Sequence, residues 1–513
     1  MKLKKWIKYS LLTLAVLMAA GFYAMNRDGQ RIYGALTELV DHTQFVPEGG
    51  PFAITNVNLL SEDGERMIPN QTILIKDGLI VAVDSSLNIP TGTKVIDGTG
   101  KYLIPGLIDS HVHLFQSPND LLLYLANGVT QIRELIGEED HLTWKQEIEE
   151  GRIGPRMFVA SPRLGTFGTM EGAFMTWSQG YKNVPGEEAA QIVQGLYDQG
   201  YDGLKIYSQL TKESYLAIAK KAGELNMPIF GHIPWSLELD DIWDNGQSSV
   251  AHFEELMNAL QRDFDPEAEG NFGSFYGRED EFLQFVSERS SYLAENLIKN
   301  NISVSSTLWL TESFVRQKFD LDQVLRDVEL EYQNPGISEW VSYIPGGLGW
   351  LPAVNRYKLN DGLSEERKAT HMTYWTTYGK ACSVLATELS KRGVKLMTGT
   401  DANLPPTVPG FSLHDEFGSL SRAGLSNAEV LRAATVNPSE WLKSNAGVIS
   451  AGYEANLVLL DKNPLEDISN TKAINTVISR GQIFDRSMLD DILAAVKQAN
   501  DNSRKVNIDQ YLD

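Results

Sequence analysis

The stretch "GLIDSHVHLF", residues 106–115, sets two histidines one residue apart in a chain that has only eight. On a β-strand successive side chains point to opposite faces, so His111 and His113 share one face with Val112 behind them, as two ligands at a strand end would. Four more candidates close apolar, strand-like runs further on: Lys205 in "YDGLKIYS", His232 in "PIFGHIP", His252 in "SSVAHFEE" and Asp401 in "MTGTDA". Singly, such a histidine is ordinarily a hydrogen-bonded core residue and such a lysine a surface or ion-paired one. Cys382 is the only cysteine, which excludes an intrachain disulfide and thiolate metal sites. Its surroundings, "KACSVLATELS", read as a buried helix face. A metal here uses imidazole, carboxylate or a modified lysine, donors that suit zinc and also manganese, iron or cobalt. Burial disfavours a lysine's ammonium form and leaves a free amine that reacts with carbon dioxide. The carbamate so formed on Lys205 offers two oxygens to bridge two cations.

What must position these groups is a repeating unit. From Pro105 to about Pro438 eight strand-like segments follow one another: "PGLIDSHVH", "GVTQIREL", "PRMFVAS", "YDGLKIYS", "MPIFGHI", "SSVAHFE", "ISVSSTL" and "VKLMTGTDA". Most are followed by a helical stretch such as "KESYLAIAKKAGELN". Eight is the count a (β/α) barrel needs, and a barrel gathers the C-terminal ends of its strands, where all six candidates fall. Their convergence on one small volume is what points to a metal centre. Residues 51–104 instead alternate in short runs broken by Asp-Gly turns and read as small antiparallel strands, whose natural partners are "ANLVLLD" and "AINTVISRGQIF" after the barrel.

The expected fold class is therefore α/β: a (β/α)8 TIM-like barrel over 105–438 with a small β-sandwich domain formed from 51–104 and 439–490, on both sides of the barrel. Residues 26–50 read as a linker and 491–513 as a C-terminal tail. A chain of 513 residues has the length for a barrel plus such a satellite. About 255–300 and about 309–365 exceed what a barrel needs and follow strands six and seven, where substrate pockets are built. They carry Phe272, Phe275, Tyr276, Trp309, Trp340, Tyr343 and Trp350, available to close over an apolar substrate or to pack the loops themselves. Arg278 and Arg356 are candidates for a substrate carboxylate.

At the N-terminus Lys2, Lys4, Lys5 and Lys8 precede an apolar run from Tyr9 to about Met25, the layout of a signal peptide or signal anchor over 1–25. Phe22 stands where a small residue is wanted if Ala24 ended a signal, so an uncleaved membrane anchor is the expectation. The positive-inside rule then sends the rest of the chain to the periplasmic or secreted side. A formal charge of −22 without a basic stripe excludes a nucleic-acid partner. A small-molecule substrate remains, with a homo-oligomer compatible.

With these residues in hand, the sequence resembles the amidohydrolase superfamily of metal-dependent hydrolases over roughly 51–485. The resemblance rests on the HxH pair, the strand-four lysine, the two further histidines and the final aspartate. "IDGTGKYLIPGLIDSHVHL", "LRAATVNPSEWL" and "GVISAGYEANLVLLDKNPLEDI" carry it into the flanks. The branch containing imidazolonepropionase-like enzymes and metal-dependent, prolidase-like dipeptidases looks most similar. Asn456, Glu134 and Ala251 depart from the usual family residues at positions that are not ligands.

The resemblance implies that His111, His113 and Asp401 hold one divalent cation and His232 and His252 a second, zinc by preference, with carbamylated Lys205 bridging them. Asp401 would also be the catalytic proton carrier in hydrolysis of an amide, a peptide or a cyclic C–N bond, a dipeptide or N-acyl amino acid being favoured by location. His414 also resembles a family position, but a hydrogen-bonding role at its helix start is the expectation. Two alternatives stay open: a mononuclear deaminase with Lys205 idle and Glu238 as acid–base group, and a catalytically inactive membrane-tethered binding protein.

Overall fold

A computed structural model describes residues 2–268, 273–340, 348–360 and 362–512, without the side chains of residues 2–5, 7 and 8. Phe272, Tyr343 and the side chains of Lys2, Lys4, Lys5 and Lys8 thus lie outside the described residues.

The strands before the barrel are β1 (Phe52–Leu60), β2 (Met67–Lys76), β3 (Leu79–Asp84), β4 (Lys94–Asp97) and β5 (Tyr102–Pro105). The barrel region holds β6 (Leu107–Val112), β7 (Val129–Glu134), β8 (Arg156–Val159), β9 (Arg163–Gly165), β10 (Tyr181–Asn183), β11 (Leu204–Ile206), β12 (Ile229–Gly231), β13 (Gln247–Val250), β14 (Ser303–Ser305) and β15 (Leu396–Met397). The chain returns to the small domain as β16 (Leu457–Leu460), β17 (Ile474–Ser479) and β18 (Gln482–Asp485).

The eight segments read as barrel strands are β6, β7, β8, β11, β12, β13, β14 and β15, each parallel to the next within two ladders. Hydrogen bonds outside those ladders join them. Asp202 N–H donates to Val159 O and Ser161 N–H to Gly203 O, both at 2.8 Å. At the other seam Ser110 N–H donates to Thr398 O and Asp401 N–H to His111 O, again at 2.8 Å. Every residue of β6 and β7 is buried. Parallel strands covered on both faces read as such continuous runs, so the polar residues within them stand out.

The small domain is built from both chain ends: β16 pairs antiparallel with β5, and β17 and β18 follow. Alternate residues of its strands, among them Phe52, Ile54, Ile73, Ile75, Leu457 and Leu459, close one apolar cluster. The opposite face, with Ile104, Val458, Leu460 and Val477, joins the barrel core. One expectation is corrected. The strands are not all antiparallel, since β4 and β5 both run parallel to β1. With β2 on one edge of β1, the chain coming back from β3 fills the other edge in β1's own direction.

The stretch read as a linker continues the N-terminal helix to Ile32 and buries Ile32 and Phe45. The stretch read as a tail forms most of the helix Arg486–Ser503, which buries Leu489, Ile492 and Val496.

Candidate metal centre

The strand tops bring the six candidates together. His113 Nε2 lies 2.7 Å from Asp401 Oδ1 and His111 Nε2 3.4 Å from the same oxygen. Lys205 Nζ is 3.5 Å from His111 Nε2. The rings of His111 and His252 are 4.3 Å apart and those of His232 and His252 5.3 Å. One ligand atom each of His111, His252 and Asp401 lies within 4.8 Å of the others. Five of the six residues are buried, and the His232 side chain is 13% exposed.

The backbone is specialised where it presents them. His252, Thr307 and Asp401, at the tops of β13, β14 and β15, have φ of 62°, 51° and 57°. Left-handed backbone is uncommon outside glycine and is held only where the surroundings over-determine it. Gly399 lies so close to β6 that a Cβ there would stand 2.6 Å from His111 Cβ. Asp109 ties both strands: Oδ1 accepts from His111 N–H at 3.2 Å and Thr400 N–H at 3.1 Å, and Oδ2 from the Thr400 hydroxyl at 2.7 Å. Glu134 accepts from Leu114 N–H at 2.6 Å and Ile136 N–H at 2.7 Å, fixing the loop below His113. Thr307 Oγ1 is 3.1 Å from His252 Nδ1.

Burial disfavours charge throughout the cluster. It pulls His111 and His232 well below the ordinary imidazole range, with the Lys205 charge adding, and His252 down to about 3. For His113 burial lowers, but Asp401 beside it more than offsets this and the net shift is upward. Burial raises Asp401, yet His252, His113 and Lys205 hold it well below the usual carboxylate range. Lys205 falls to about 7, chiefly by burial, against Asp401 and with Arg133 adding. Arg133 is itself buried inside the barrel, its guanidinium 3.8 Å from the Trp441 ring.

Neutral imidazoles at His111, His232 and His252, an ionised Asp401 and a readily deprotonated Lys205 are in the states in which such groups bind a cation. His111 Nδ1 and His113 Nδ1 are buried with no hydrogen-bond partner among the described residues. The residues fit divalent metal.

Beside the cluster opens a cavity of about 570 Å³. Its wall adds groups that sequence reasoning missed: Tyr33, Arg163, Tyr207, Glu254 and Glu255. "HFEE" places both glutamates directly after a candidate ligand, and that was the available signal. Arg356 lines the cavity, whereas Arg278 faces Glu281 at 3.1 Å and Asp265 at 3.6 Å on the surface. Two of the loop aromatics pack the loops, Phe275 stacking between Phe282 and Tyr374 and buried Trp350 donating to Asn403 O at 3.2 Å, whereas Tyr276 is exposed. His414 is held by Thr471 Oγ1 at 2.9 Å and Asn127 O at 3.2 Å, a structural role away from the cavity. Glu238 is exposed at the start of the helix Leu239–Asp244 and does not line the cavity.

Comparison with known proteins adds the family. Residues 379–484 match the model of the amidohydrolase family. A deacetylase from Brucella anthropi is 38% identical over 72 residues, 14% of this chain and 18% of that protein. An ochratoxinase from Aspergillus niger is 35% identical over 102 residues, 18% of this chain and 20% of that protein. The matched stretches thus span about a fifth of these two relatives' length. The fold is similar to that of a putative prolidase from Bifidobacterium longum, with a TM-score of 0.59 and 21% identity, over 88% of this chain and 100% of that one. The match over residues 379–484 and the barrel-and-sheet fold shared with that protein are consistent with the amidohydrolase superfamily.

Proposed function

We propose that the protein is a metal-dependent hydrolase of carbon–nitrogen bonds that cleaves the amide or peptide bond of a small substrate, a dipeptide or an N-acyl amino acid. The observation that carries this reading is Lys205, fully buried at a strand top, 3.5 Å from His111 Nε2 and making no ion pair among the described residues. A lysine placed so is costly unless it is used as a neutral amine. Its Nζ adds to the carbon of carbon dioxide and releases one proton, giving a carbamate. His111, His113, His232, His252, Asp401 and a Lys205 carbamate would hold two divalent cations, zinc by the donor set, and this metal would supply Lewis-acid polarisation of the scissile carbonyl and a more acidic water.

Asp401 takes the proton of the attacking water and delivers it to the leaving nitrogen. Arg163 and Arg356, on the cavity wall and in no ion pair among the described residues, are available to a substrate carboxylate. The helix Tyr9–Ile32 serves as an anchor that places the barrel on the extracytoplasmic side.

Elemental analysis of protein purified without chelators, with intact mass to detect carbon dioxide on Lys205, tests the reading. Two metals per chain and the added mass support it. One metal with unmodified lysine turns it to a mononuclear deaminase, and none after reconstitution to an inactive binding protein.

A further inference from the structure

The N-terminal helix is not loosely attached. The helix Tyr9–Ile32 contains an 18-residue window of mean hydropathy 1.4, none of which is buried. Its last turns, by contrast, are seated in the body of the protein. Asp28 and Ile32 are buried, Trp340 Nε1 donates to Asp28 Oδ1 at 3.2 Å, and Arg31 lies 4.1 Å from the Trp340 ring. The next residue, Tyr33, accepts from Gln116 N–H at 2.9 Å through its carbonyl, stacks on Phe115 with ring centroids 5.2 Å apart, and lines the active-site cavity. The apolar helix therefore ends at the mouth of the barrel.

A second element beside that mouth carries apolar groups outward. The helix Thr169–Gln179 exposes Met170 (88%), Phe174 and Trp177. Spacings of four and three residues put them on one stripe. Trp177 lies against Phe22 of the N-terminal helix, ring centroids 6.1 Å apart, so the stripe continues that helix's apolar surface. Gln179, at the end of the stripe-bearing helix, lines the cavity, as does Trp235, which is 69% exposed. Phe22 and Tyr23 stand towards the outer end of the apolar run, the level at which aromatic rings settle among lipid headgroups. A short helix with such a stripe lies in the interface plane.

We propose that Thr169–Gln179 and Trp235 rest on the lipid bilayer alongside the N-terminal helix, so that the cavity opens at the membrane surface and takes an amphiphilic amide, an N-acyl amino acid whose acyl chain stays in the lipid. The substrate part rests on the reading of the site as an amidohydrolase; the membrane-facing mouth does not. The carboxylate of such a substrate meets Arg163 or Arg356 while its chain leaves past Trp235 and the stripe.

The full-length protein in phosphatidylcholine–phosphatidylglycerol vesicles tests this. Phe174→Cys, or for comparison Val81→Cys on the small domain, is labelled with an environment-sensitive fluorophore; buried Cys382 does not compete. Nitroxide-bearing phosphatidylcholine is expected to quench the label at 174 severalfold more than at 81. Equal quenching at both overturns the membrane-facing mouth. In the same vesicles Phe174→Glu is expected to lower kcat/KM about tenfold for an N-dodecanoyl amino acid and to leave the N-acetyl analogue unchanged. Equal effects on the two amides, or none on either, overturn the substrate class. Hydrolysis of neither by the unsubstituted protein counts against the reading of the site, and the quenching then decides the orientation by itself.

Discussion

Glu255 clamps His232: its Oε1 lies 2.8 Å from His232 Nδ1 while its Oε2 accepts the Ile233 N–H at 2.9 Å. One carboxylate thereby fixes both the tautomer of the imidazole and the loop that carries it, leaving Nε2 as the free lone pair. Ser208 Oγ, also 2.8 Å from Nδ1, completes the hold.

Glu255→Gln keeps the size but sets an amide N–H against either His232 Nδ1–H or Ile233 N–H. Metal affinity is expected to fall about 10–100-fold with little loss of fold. Metal titration followed by isothermal calorimetry measures it, and an unchanged affinity would show that the clamp is unimportant.

Gly399→Ala forces a Cβ to within 2.6 Å of His111 Cβ. His111 Cβ is fixed to its backbone, so rotating the side chain does not relieve the contact and the strand carrying His111 must shift. The variant is expected to lose metal and turnover together, read by elemental analysis and an amidase assay on the same preparation.

Lys205→Ala is expected to lose one metal and most activity, part of which returns with added formate or acetate. Asp401→Asn is expected to keep most of its metal and lose turnover, because an amide does not accept the proton. A near-normal rate in Asp401→Asn contradicts the role given to that residue.

Burial raises Asp109 to about 7 although three hydrogen bonds favour its charged form. The folded state therefore holds this proton more tightly than the unfolded chain, whose aspartates titrate near about 3.9. The stability it contributes is present below about pH 4 and lost as pH rises through about 7. In Asp109→Asn the amide keeps the bonds to His111, Thr400 N–H and the Thr400 hydroxyl, with no proton to lose. Melting curves are expected to show Tm falling less steeply over that window for the variant than for the parent.

The barrel was legible because a parallel strand buried on both faces writes its position as an apolar run, and strand tops converge whatever the helices between them do. That is why "SHVH", "GLKI", "FGHI", "VAHF" and "TGTDA" located six groups that the fold brings together. Pairing direction was not legible, since alternation along β4 or β5 is the same in either orientation. The cavity wall was hardest to see. Arg163 and Tyr181 sit on the three-residue strands β9 and β10, too short for any period to show, and Arg163 enters the wall only because β9 pairs with β11. Arg278 and Arg356 look alike in sequence, and only the folded loops decide which of them reaches the cavity.

The placement of β5 between β1 and β16 has a consequence for biogenesis. A chain emerging N-terminus first completes β1 to β5 early but leaves the far edge of β5 without a partner until Leu457–Leu460 has been synthesised. Throughout synthesis of the barrel that edge offers Leu103 and Ile104 to any neighbouring strand. The last strands thus act as a closing latch, and a chain that stops short of them is committed to aggregation or proteolysis even though all six groups of the metal centre have already been made.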